Sequence, residues 1–279
     1  MIILPDEDMT IIDSSGCRNF PSDSSGEFRR DVLKAIVVAK KKTYNSTVGS
    51  YLGFIWLVLD PLVLTLVYLF VFTVIAHRED PAAVFVGLGI IRGLQRSLLT
   101  SSSPTSLNAQ GGFPIERVRT RVLVISGLMV LALDSFFMGI GISGVLYLVL
   151  GKSFIGSLSF IPILFLSNLF WQSAGLLTLN VTSKIPDLHK LLSYFGMGMF
   201  FVSPVLYSFS LTSGIHRTFC YYNPATYFIE LSRLSIGTGN GVNLLPIQGF
   251  LVLAAIGILM TVIGNLKLDR IRWSLSSRS

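Results

Sequence analysis

Six stretches of this chain are each long and apolar enough to cross a lipid bilayer, and nothing else restricts the fold as tightly. A spanning helix needs about 20 mostly apolar residues, because each advances about 1.5 Å through a hydrocarbon layer about 30 Å thick. The stretches are residues 52–76, 82–100, 122–150, 158–181, 191–209 and 244–263. The second is the least apolar, since it carries Arg92, Gln95 and Arg96. Charged residues make up only 13% of the 279, against about 25% in soluble domains. So few charges cannot solvate the surface of a water-soluble enzyme.

The charges present are distributed by position. With the N-terminus inside the cell, 16 of the 22 Lys and Arg residues fall on inner segments and four (Arg78, Lys152, Arg217, Arg233) on outer loops. Arg92 and Arg96 lie within a span. This asymmetry is the positive-inside pattern, and it places both termini in the cytoplasm. The net charge of +7 therefore reads as topology, with no nucleic-acid partner. Cys17 falls inside and Cys220 outside, so they cannot pair with each other.

The fold expected is all-α: a polytopic membrane protein with six transmembrane helices over residues 50–264 and a cytoplasmic tail at 265–279. Residues 1–27 hold six acids against Arg18 alone. They read as a disordered acidic tail without the basic and apolar regions of a signal peptide. Residues 28–49 differ. Phe28, Val32, Ala35, Ile36 and Ala39 recur at helical spacing among Arg29, Arg30, Lys34, Lys40 and Lys41. That pattern predicts an amphipathic helix on the inner leaflet, drawn down by anionic headgroups. Residues 203–243 are rich in aromatics, with apolar runs too short to span, which predicts re-entrant or interfacial helices between the fifth and sixth spans.

Catalytic chemistry is not legible. Residues 139–144 match GxGxxG inside a hydrophobic span, where small residues serve close helix approach rather than dinucleotide binding. Gly151-Lys152-Ser153 lacks the upstream glycine of a phosphate loop. His77, His189 and His216 fall on separate loops on both sides of the membrane, so no metal site or catalytic triad is expected. The chain itself is expected to bind no cofactor.

Residues 50–72, SYLGFIWLVLDPLVLTLVYLFVF, resemble the opening of the ABC-2 type permeases that export cell-surface polysaccharides and polyol-phosphate polymers. Leu52, Gly53, Trp56 and Pro61 stand at the matching positions. Further stations follow in order: Phe113-Pro114, Ser203-Pro204 at the fifth span's exit, Asn223-Pro224 and Arg233. The resemblance implies an inner-membrane half-transporter that dimerises and binds two copies of a separate ABC ATPase, which would hold the ATP and Mg. It also implies a polymer cargo carried on a lipid pyrophosphate. An ATPase-docking surface is implied at Ser103, Asn108, Phe113, Glu116 and Arg117. There the chain departs from the family at Gly111-Gly112 and Ile115.

Two sets of residues are candidates for the substrate pathway. Arg92 and Arg96, at i and i+4, share a helix face. They either pair with Asp60 or Asp134, with Arg96 also able to snorkel inward, or they face the pathway and bind a lipid pyrophosphate or an acidic polymer. Tyr207, Tyr221, Tyr222, Tyr227 and Phe228 form either an interfacial aromatic belt or a sugar-stacking surface. An exporter of drugs or small lipids is the alternative within transport. A membrane-embedded glycosyl- or acyltransferase is the alternative from another class.

Overall fold

The computed structural model describes residues 10–13, 16–19, 24–47, 81–103, 120–185, 187–239 and 247–276, with scattered positions between 55 and 71. The regular elements among the described residues are helices apart from one short antiparallel pair, β1 (Thr10–Asp13) on β2 (Gly16–Asn19), with Thr10 opposite Asn19. This pair lies within the stretch expected to be unstructured. Asp13 and Gly16, residue types common at hairpin turns, flank its link.

Eight helices follow among the described residues: α1 (Ser24–Thr47), α2 (Pro81–Ser102), α3 (Thr120–Leu148), α4 (Phe154–Thr182), α5 (Asp187–Val202), α6 (Gly214–Tyr222), α7 (Pro224–Ser235) and α8 (Ile247–Ser276). A 3-10 turn at Phe209–Leu211 precedes α6. By length and composition α2, α3 and α4 can cross a membrane. Six spans are expected from sequence, and the differences have physical reasons. Most of the first span lies outside the described residues. The fifth ends early: Ser203-Pro204 stops α5 after 16 residues, about 24 Å at 1.5 Å per residue, because Pro204 has no N–H to continue the ladder. The apolar part of α8, Gly249–Gly264, is also short, yet the helix runs on to Ser276, through the expected tail.

The expected weakest span, α2, is the most enclosed. It packs most extensively on α4 and also meets α5 and α7. Phe85, Leu88, Ile90, Ile91, Leu94 and Leu98 are all buried in the main core. Close approach depends on glycine. A Cβ on Gly89 would stand 2.7 Å from Ile142 Cδ1, and one on Gly175 of α4 would stand 2.6 Å from the Leu98 carbonyl oxygen. Gly139, from the dinucleotide lookalike, packs against Ile161 of α4. The phosphate-loop lookalike is a helix connection. Gly151 sits at φ +64 after α3, and Ser153 caps α4 by accepting the Gly156 N–H at 3.1 Å.

Helix α1 does more than lie on a surface. It packs on α3 through Ala35 and Val38 against Val122, Ile125 and Met129. The expected apolar face therefore divides, with Ala35 and Ala39 buried and Phe28 and Ile36 exposed.

Gly175→Val places a branched side chain against fixed backbone and should destabilise the protein by about 1–3 kcal/mol or more. Gly144→Ala, with nothing within 4 Å of its Cβ, should be neutral or stabilising by up to about 1 kcal/mol. Detergent unfolding midpoints check both.

Candidate functional site

Three stations separated by up to 30 positions meet in one buried node. Asn223 caps α7, its Oδ1 accepting the Ala225 N–H at 3.0 Å, with Pro224 as the first helical residue. The Asn223 Nδ2 donates to Ser203 Oγ at 2.8 Å, which ties the start of α7 to the stop of α5. Arg233, in the last turn of α7, is 3% exposed and Glu230, one turn earlier, is 0% exposed.

The Arg233 guanidinium is almost fully satisfied. Its Nη1 donates to Glu230 Oε1 at 2.7 Å and to the Tyr207 carbonyl at 2.9 Å. Its Nη2 donates to the Val205 carbonyl at 2.7 Å, and its Nε to the Ala83 carbonyl at 3.3 Å. Glu230 Oε1 also accepts the Phe209 N–H at 3.2 Å. The node thus fixes α7, the irregular chain from Ser203 to Phe209 and the first turn of α2. Sequence reading counts Arg233 among outer-loop charges and does not single out Glu230. The available signal was their i, i+3 spacing in an otherwise apolar helix.

The aromatic set divides. Phe228 is buried against Phe170 and Phe250. It fills the core between α4, α7 and α8. Tyr207 is half-buried, with its Oη 2.6 Å from His216 Nε2 and 3.2 Å from the Ser203 carbonyl. Burial pushes its phenol well above the ordinary tyrosine range. Burial likewise raises the Cys220 thiol, which donates to the Val202 carbonyl at 3.3 Å, and the phenol of Tyr227, which packs on Phe209 and Cys220. Tyr221 and Tyr222 meet edge to face at 5.4 Å. Tyr222 is 77% exposed, on the outward side of α6 with Ile215 and Phe219.

Arg92 and Arg96 find different partners. Arg92 donates to Gln95 Oε1 at 3.3 Å, and Gln95 Nε2 donates to the Gly196 carbonyl of α5 at 2.9 Å. Arg96 pairs with Asp134 of α3 at 3.5 Å, one of the two carboxylates expected for it. This pair lines a crevice among α1, α2, α3, α4 and α8.

Of the docking residues, Ser103 is described, just past α2, while Asn108, Phe113, Glu116 and Arg117 lie outside the described residues, as does the neighbouring Pro114. So do Leu52, Gly53, Asp60 and Pro61; Trp56 is described and exposed. The end of α2 is secured on two sides. Thr182 Oγ1 of α4 donates to the Ser102 carbonyl at 2.6 Å, and Ser102 Oγ lies 3.2 Å from His189 Nδ1 of α5.

Removing one partner of a buried ion pair leaves the other charged and unsatisfied. Arg233→Met should therefore cost about 3–5 kcal/mol, and Arg233→Met with Glu230→Met should recover part of that loss. Asn223→Ala, which removes a cap, should cost about 1 kcal/mol. Unfolding of the purified variants gives the order. Equal effects from Arg233→Met and Asn223→Ala would contradict the central place of Arg233.

The profile of the ABC-2 type transporter family matches residues 35–236, from the middle of α1 to the end of α7. No curated protein matches the chain. The matched region holds the enclosed α2, the crevice walls from α1 to α4 and the Arg233 node, and it covers well over half of the sequence. The chain therefore belongs to the ABC-2 type transporter family.

Proposed function

We propose that this chain is the permease subunit of an ABC exporter that moves a lipid-linked cell-surface polysaccharide, O-antigen-like, capsular or teichoic-acid-like, across the cytoplasmic membrane. Family membership makes it a membrane-embedded transport component that works with an ABC ATPase. The polymer, the homodimer and the sidedness are the added steps. In this reading both termini face the cytoplasm, the chain spans six times, and two copies bind two ATPase subunits.

The observation that carries the reading is α1. It is a basic helix docked on α3 that leaves Leu33, Ile36, Val37 and Tyr44 exposed beside Lys34, Lys40 and Lys41. Such a surface suits the inner leaflet, where a lipid carrier arrives. An exporter of drugs or small lipids does not call for this basic prelude or for the Asn223-Pro224 station. The two described histidines are engaged apart: His189 with Ser102, at the end of α2, and His216 with Tyr207, beside the node at its start; His77 lies outside the described residues.

Helix α2 supplies the coupling. Its 22 residues make a rod about 33 Å long. One end leads into the proposed docking loop and is tied to α4 and α5. The other is gripped by Arg233 at Ala83. Closure of the ATPases would move α2 as a unit and carry the motion to the outer aromatic segment.

A strain lacking the chain should lose surface polymer and accumulate lipid-linked polymer inside, and the intact chain should restore export. Normal surface polymer with raised drug sensitivity would favour the drug-exporter reading. Leu33→Glu with Val37→Glu spares the α3-facing residues of α1 and should lower export without loss of membrane-inserted protein.

A further inference from the structure

The crevice among α1, α2, α3, α4 and α8 has a charge imbalance. Its lining includes Lys42 from the end of α1, Arg96 from α2 and Asp134 from α3, so two cations share one carboxylate. Thr100 and Gln172 add polar groups, and Gln172 Oε1 is buried with no partner among the described residues.

Arg96 and Asp134 neutralise one another, and that leaves the Lys42 ammonium in a confined place. Burial holds its pKa below the ordinary lysine range, with Asp134 acting in the opposite direction. An anion between Lys42 and Arg96 would balance the lining. A guanidinium and an ammonium on the walls of one crevice can both meet a phosphate, the first through its planar fork and the second as a point charge. Unpartnered acceptor oxygen at Gln172 suits a hydroxyl next to that phosphate.

We propose that this crevice is a binding site for a phosphate-bearing group, held by Lys42 and Arg96, with Asp134 setting its affinity from the opposite side. The group arrives either as a lipid headgroup from the adjacent bilayer or as free phosphate. The site lies within one subunit and does not depend on the identity of the exported cargo, so its test reads binding and not export.

The full-length protein in nanodiscs is offered phosphatidylglycerol, with diacylglycerol as the uncharged control, and retained lipid is counted by native mass spectrometry. The parent should retain phosphatidylglycerol selectively. Lys42→Gln should lower retention about tenfold, the loss expected of one charge-assisted contact, while Lys42→Arg should preserve it. Asp134→Asn should raise retention, because it removes the competing anion; a purely structural Arg96–Asp134 pair predicts no gain. Inorganic phosphate then separates the sources. Displacement of the lipid shows that phosphate alone suffices, and persistence shows that the anchored headgroup is required. Equal retention in the parent and Lys42→Gln, or weaker retention in Asp134→Asn, overturns the proposal.

Discussion

A guanidinium kept from water must find its hydrogen-bond acceptors in the protein, and Arg233 draws three backbone carbonyls and one carboxylate to itself. Those acceptors come from the start of α2, from the irregular segment after α5 and from α7 itself. All three also enter the main core, through Phe85, Val205 and Phe228. The segment from Ser203 to Phe209 has no regular ladder of its own, so its position depends on Arg233, on Glu230 and on the Asn223–Ser203 bond. The aromatic groups on α6 inherit their position from that arrangement. Buried ion pairs often contribute little net stability compared with apolar replacements. Their clearer role here is to fix geometry at a point where helices stop.

The same reasoning applies along α2. An arginine in mid-span costs about 2.5–3.5 kcal/mol when it faces lipid, and α2 carries two. Arg96 offsets that cost with Asp134, and Arg92 shares a polar chain with Gln95 and the α5 backbone. Because α2 is enclosed by α4, α5 and α7, it meets little lipid. Its glycines trade side-chain volume for proximity to α4, so a polar helix becomes the centre of the bundle.

Much of this was readable in the sequence. Hydropathy located α2, α3 and α4 to within a few residues, and the order of Ser203-Pro204, Asn223-Pro224 and Arg233 pointed to the family. The misreadings share a cause: local pattern does not reveal tertiary partners. The run 191–209 looks continuous because Pro204 is surrounded by apolar residues, yet the chain stops there and folds back. Phe228 stands near Tyr221, Tyr222 and Tyr227 in sequence, and only the fold shows that it packs against Phe170 and Phe250. Glu230 escaped notice because a lone acid in an apolar helix acquires meaning only from the arginine and backbone that meet it. On α1, period alone could not distinguish the face that packs on α3 from the face left exposed.

The central claim is that this chain is a passive pathway whose movement is driven by ATP hydrolysis in a partner. It is tested most directly by reconstituting the chain with its candidate ABC ATPase in proteoliposomes and following ATP turnover and cargo movement together. The account predicts that the two proteins co-purify, that lipid-linked polymer stimulates ATP turnover, and that inactivating the ATPase stops movement. Cargo movement that proceeds without a nucleotide-hydrolysing partner would contradict it.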